Sequence, residues 1–96
     1  MGNQRITKHF AIYGKVQGVG FRYFTWKQAK QMQITGWVKN LEDNSVQVLA
    51  QGSEEDIALF KQWLEQGPKQ AKVELVLELE QGQVVEQVYS QFSIKY

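Results

Sequence analysis

The nine residues from Gly14 to Arg22 read GKVQGVGFR, and they set three glycines ahead of a guanidinium just where an amphipathic segment begins. Gly18 and Gly20 allow positive φ and let the backbone approach a ligand with no side chain in the way. A strand that feeds such a loop into a helix collects several N–H groups and the helix N-terminus at one point, which is a ready site for an anion. Arg22, one of only two arginines in the chain, adds a planar fork matched to phosphate oxygens. Two familiar phosphate loops are excluded. The lysine and hydroxyl that follow the last glycine of a Walker A loop are missing, and Tyr23 stands where a dinucleotide fingerprint has its third glycine.

The elements that must position this loop can be read from periodicity. TKHFAIYG, residues 7 to 14, alternates His9, Ala11 and Tyr13 against Phe10 and Ile12, as a two-faced strand does. Residues 22 to 33, RYFTWKQAKQMQ, favour helix, with Thr25, Ala29 and Met32 on one side and Lys27, Lys30 and Gln31 on the other. WVKN resumes a strand after Gly36, and SVQVLAQG at 45 to 52 alternates Val46, Val48 and Ala50. Between them LEDN makes a short hairpin turn in which Asn44 can take positive φ.

Ser53, followed three residues later by Asp56, signals the start of a second helix, whose first turn also carries Glu54 and Glu55. Ile57, Phe60 and Leu64 give it an apolar stripe, and Gly67 then Pro68 end it. KVELVLELE at 72 to 80 alternates Val73, Leu75, Leu77 and Leu79 with charges, as a half-buried antiparallel strand would, and FSIKY reads as a last short strand. The order strand, helix, strand, strand, helix, strand, strand predicts an α+β, ferredoxin-like split βαβ sandwich: an antiparallel sheet, two helices on one face, and an extra C-terminal strand. A fold this widespread leaves function to the site.

Ninety-six residues with three Trp, five Phe and four Tyr suffice for one compact domain spanning 1–96. Without cysteine, thiolate nucleophiles, disulfides and Cys-based metal sites are excluded, and a single His argues against a His-rich metal centre. No apolar run has the length of a signal peptide or a membrane span, so a soluble, cytoplasmic protein is expected. The net charge of +1 conceals an asymmetry: residues 1 to 41 hold seven basic residues and no acid, whereas residues 42 to 96 hold all ten acids and four lysines. A site in the first half is therefore a site for an anion. Composition and spacing take the reading as far as an anion-binding α/β domain, since a glycine loop, one arginine and one asparagine also occur as ordinary turn and surface residues.

GKVQGVGFR, followed by GWVKN at 36 to 40 and a valine and glycine spaced as Val46 and Gly52, resembles the acylphosphatase family, and the similarity continues through QGPKQAKVE at 66 to 74 and the terminal FSIKY. The resemblance implies hydrolysis of the mixed anhydride of a carboxylic acid and phosphate, with no metal and no cofactor. It implies that Gln17, Gly18, Val19, Gly20, Phe21 and Arg22 form the phosphate cradle, that Arg22 binds the phosphoryl group, and that Asn40 orients the attacking water. Arg22 and Asn40 are then the catalytic pair. The expected partners are a small acyl phosphate and inorganic phosphate or a similar anion, with no nucleic acid and no membrane, on a monomer. One departure is Asn44, where the family usually has glycine; asparagine tolerates the left-handed region well enough to keep the hairpin.

The implied chemistry suits what the chain lacks. The leaving carboxylate has a conjugate acid of pKa roughly 4 to 5, so no general acid need protonate it. The rival reading, a non-catalytic anion- or RNA-binding module on the same sheet, requires aromatic residues in the third strand for base stacking, and SVQVLAQ supplies only small and aliphatic ones. His9, Glu42 and Asp43 are read as structural, Trp37 and Phe60 as core, and Phe24 and Trp26 as exposed.

Overall fold

The computed structural model describes residues 5–79 and 88–96. Its elements run β1 (Arg5–Lys15), α1 (Phe21–Gln31), β2 (Thr35–Asn40), β3 (Val46–Ser53), α2 (Glu54–Gln66), β4 (Lys72–Leu79) and β5 (Phe92–Lys95). The sheet order is β4-β1-β3-β2-β5, so β3 lies between β1 and β2, and α1 crosses over it. This is the expected ferredoxin-like plan. The first four strands in that order pair antiparallel, but β5 pairs parallel to β2, with Val38 opposite Ile94, so the sheet is mixed rather than wholly antiparallel.

One face of the sheet carries the core. Phe10 and Ile12 of β1, Val38 of β2, and Val46 and Val48 of β3 pack against Phe21 and Ala29 of α1 and Ile57, Phe60 and Leu64 of α2. Fully burying a side chain of this size contributes about 1.5–3 kcal/mol. Helix α2 starts as its sequence dictates, with the Ser53 hydroxyl accepting from the Asp56 N–H at 3.1 Å, and it ends at Gly67 with φ 71°.

Three expectations need correction. Helix α1 stops at Gln31, two residues short of the stretch read as helical, because Gln33 adopts φ 59° and closes a Schellman turn in which the Ile34 N–H reaches the Ala29 carbonyl at 2.9 Å. No glycine marks this stop. Strand β4 does not keep Val73 on the same face as Leu75, Leu77 and Leu79: a bulge opposite Tyr13 and Gly14 makes Glu74 the extra residue. Val73 and Val76 consequently pack toward the core, while Leu75 and Leu77 are exposed on the open face. Glu80, the last residue of that predicted strand, lies outside the described residues. Trp37 is buried, as expected, but it belongs to the face away from the helices. There the edge of His9 meets its ring at 5.5 Å, and the ammonium groups of Lys39 and Lys95 each lie 5.1 Å from its centroid.

The hairpin turn forms with Asn44 at φ 72°, and Asp43 accepts from both the backbone N–H and the hydroxyl of Ser45. Those bonds hold the Asp43 carboxyl below its usual pKa. His9 bonds Gln47 at 3.1 Å, and its pKa is lowered, chiefly by burial, with the Lys39 charge adding to the effect and the Gln47 bond opposing it.

Two outcomes follow. Gln33→Gly relieves left-handed strain and raises stability by about 0.5–1 kcal/mol in chemical denaturation, less whatever the added freedom of the unfolded chain takes back. For His9, the folded state prefers the neutral ring. Its contribution is therefore complete above the unfolded value of 6.5 and is lost as pH falls through the lower folded value. Melting temperature measured from pH 7 to pH 5 should fall less steeply in His9→Gln than in the wild type.

Candidate active site

Because β1 and β2 are both antiparallel to β3, and β5 is parallel to β2, the C-terminal ends of all three emerge at the same end of the sheet. The loop after β1, Asn40 at the end of β2, and Lys95 with Tyr96 at the end of β5 therefore meet. The loop, Asn40 and Tyr96 border a cleft of about 240 Å³ whose lining includes Gln17, Gly18, Gly20, Phe21, Arg22 and Asn40. Five of the six predicted cradle residues and Asn40 thus come together. The Val19 side chain turns instead into the core, so the cleft can use only its backbone.

The loop owes its shape to Gly18 and Gly20, at φ 74° and 77°. Gly20 is also the N-cap of α1, and a Cβ there would meet the Phe24 ring at 3.3 Å. Among the described residues, no carbonyl or side chain accepts from a backbone N–H between Val16 and Tyr23. Eight successive N–H groups, the last three in the first turn of α1, thus have no acceptor among the described residues, an arrangement suited to a multiply charged oxyanion. Phe21, buried in the core, anchors the loop from behind.

Arg22 Nη1 donates to the Lys95 carbonyl at 3.1 Å, and the guanidinium lies over the Tyr96 ring, 4.8 Å from its centroid. Arg22 forms no ion pair with any described carboxylate, and no Asp or Glu lines the cleft. The remaining donors of its fork are free for a ligand. Asn40 carries the second signal: its Oδ1 is buried and has no hydrogen-bond partner among the described residues. Leaving such an acceptor unpaired costs about 1–3 kcal/mol, and a water held in the cleft would relieve it.

The Gln17 side chain does not point at the ligand space as a donor. Its amide bonds the carbonyls of Leu41 at 2.8 Å and Ser45 at 2.9 Å, tying the loop to the hairpin that begins directly after Asn40. Both N–H donors of that amide are thereby committed to the hairpin. Sequence reasoning missed the parts supplied by β5. FSIKY is visible as a strand, but only its parallel pairing with β2 brings Lys95 and Tyr96 to Arg22. Among the described residues, no helix is long and apolar enough to cross a membrane.

The sequence profile of the family described as Acylphosphatase matches residues 8–94. An acylphosphatase from Pasteurella multocida (strain Pm70) is 48% identical over 91 residues, covering 95% of this chain and 99% of the relative. Among solved structures, an acylphosphatase from Coxiella burnetii superposes with a TM-score of 0.86 at 40% identity, covering 95% of this chain and 93% of the other. Another, from Bacillus subtilis, gives 0.85 at 33% identity, with 97% and 100% covered. A match of this length in sequence profile, relative and fold leaves one assignment. The chain belongs to the acylphosphatase family.

Gln17→Ala would remove two hydrogen bonds between loop and hairpin, leaving the Leu41 and Ser45 carbonyls with only their backbone partners, the N–H groups of Asn44 and Leu41. It is expected to lower stability by about 1–2 kcal/mol, as read by urea denaturation.

Proposed function

We propose that this protein is an acylphosphatase: it hydrolyses acyl phosphates to a carboxylate and inorganic phosphate, using the loop from Gln17 to Arg22 and the side chain of Asn40. The observation that carries this reading is the meeting, in one cleft, of backbone donors, an arginine and the buried Asn40 Oδ1 that have, among the described residues, no acceptor, no carboxylate partner and no hydrogen-bond partner respectively.

The donors bind the equatorial phosphoryl oxygens, and Arg22, held by Lys95 and Tyr96, stabilises the charge that spreads over them as the bond to the acyl oxygen lengthens. Asn40 Oδ1 accepts a hydrogen bond from a water and aims it in line with the leaving carboxylate; an amide positions a nucleophile without acting as a strong base. Water adds to phosphorus, the bond from phosphorus to the acyl oxygen breaks, and the electron pair leaves with the carboxylate. The proton from the water ends on phosphate or in solvent. No step calls for a thiol, an imidazole or a cofactor.

The same reading makes residues 1–96 one catalytic domain working as a cytoplasmic monomer, without nucleic-acid or membrane partners. The absence of such a nucleic-acid role agrees with Trp37, which at 8% exposure and under two lysines offers no free ring for a base.

The test is hydrolysis of benzoyl phosphate by purified protein in excess EDTA. Rapid wild-type turnover is expected, with Arg22→Ala slower by on the order of 10³- to 10⁵-fold. Asn40→Ala is expected to be near background in rate yet no less stable than the wild type, since it deletes an unsatisfied buried acceptor. A folded wild type with no turnover would refute the assignment.

A further inference from the structure

A second, larger concavity borders the cradle on the opposite side of the loop. It is a groove of about 560 Å³ between α1 and the turn that follows α2. Its apolar walls are Val19, Phe24, Trp63 and Pro68, and Lys27 and Lys69 stand at its margins. Val19 lies between the two cradle glycines, and the Phe24 ring sits 3.3 Å from where a Gly20 Cβ would be, so groove and cradle share a wall. Phe24 is 42% exposed although it is large and apolar. Neither Lys27 nor Lys69 forms an ion pair with a described residue, and no acid lines the groove.

We infer that this groove is the acyl subsite of the enzyme and that it selects acyl phosphates whose acyl group has an apolar or aromatic body ending in a negative charge. The inference rests on the proposed activity, because a phosphoryl group seated on the loop fixes where the acyl group begins. The acyl group leaves over the Gly20 and Phe24 edge, lays its body against Phe24 and Trp63, and presents its anionic end to Lys27 and Lys69. Cation and ring supply the two halves of the recognition: apolar burial holds the body, and the unpaired ammonium groups reward a terminal carboxylate or phosphate over a methyl group of similar size. None of these residues touches the reacting atoms, so they set specificity and leave the chemistry to the cleft.

The experiment compares acetyl phosphate, 4-methylbenzoyl phosphate and 4-carboxybenzoyl phosphate with wild-type protein, Phe24→Ala and the double variant Lys27→Gln, Lys69→Gln. Wild-type kcat/KM should rise about tenfold from acetyl to 4-methylbenzoyl and about threefold more with the added carboxylate. The double variant should erase the carboxylate preference while retaining the aromatic one, and Phe24→Ala should shrink the aromatic one. Comparing variants on one pair of substrates cancels their differences in intrinsic reactivity. Turnover of acetyl phosphate with equal kcat/KM for all three compounds would overturn the subsite and leave the activity standing. A carboxylate preference that survives in the double variant would likewise overturn it. Absence of turnover with every compound would remove the activity and the subsite together.

Discussion

Eight consecutive residues whose backbone N–H groups have no acceptor among the described residues set the terms for everything around them. Helix and sheet exist to pair such groups, so a run of them left open is sustained only where the surroundings hold the chain in place. Three supports do so here. Phe21 plugs the first turn of α1 into the core, the Gln17 amide ties the other end of the loop to the hairpin, and the left-handed Gly18 and Gly20 set the turn of the loop between them. Remove the supports and the donors would point to solvent singly, where each is satisfied by water and together they select nothing.

Electrostatics reinforces this constraint by omission. The half of the chain that builds the loop, α1 and β2 contains no acid, and Arg22 is held by a carbonyl and a ring rather than by a carboxylate. A carboxylate partner would position the guanidinium equally well but would neutralise it toward an anionic ligand. The acids nearest in sequence, Glu42 and Asp43, lie in the hairpin beyond Asn40, and Asp43 spends its carboxylate on Ser45.

Where the sequence was transparent, a local rule decided the structure. Ser53 with Asp56 starts α2, Gly67 ends it, and Asn44 takes the left-handed turn position, each from chemistry within a few residues. The cradle was legible for the same reason, its glycines and arginine lying within one short stretch. What escaped was set by partners far along the chain. The bulge at Glu74 answers a strand some sixty residues earlier, and it turns an apparently regular run of apolar residues into two sets on opposite faces. Trp37 reads as core from its size, but its face is fixed by register with β3 and β5. Lys95 and Tyr96 meet Arg22 only once the parallel pairing exists, and no short pattern announces a parallel edge strand.

The tether between Arg22 and the Lys95 carbonyl joins residues 73 positions apart, through a strand that must find its parallel neighbour across most of the chain. Contacts of that separation are made late, because the loop-closure entropy they cost is recovered only when the rest of the sheet is in place. On the ribosome the cradle glycines, α1 and Asn40 all emerge well before β5 is synthesised. Until β5 pairs with β2, the chain therefore lacks the two contacts, the Lys95 carbonyl and the Tyr96 ring, that hold the Arg22 guanidinium in the folded protein.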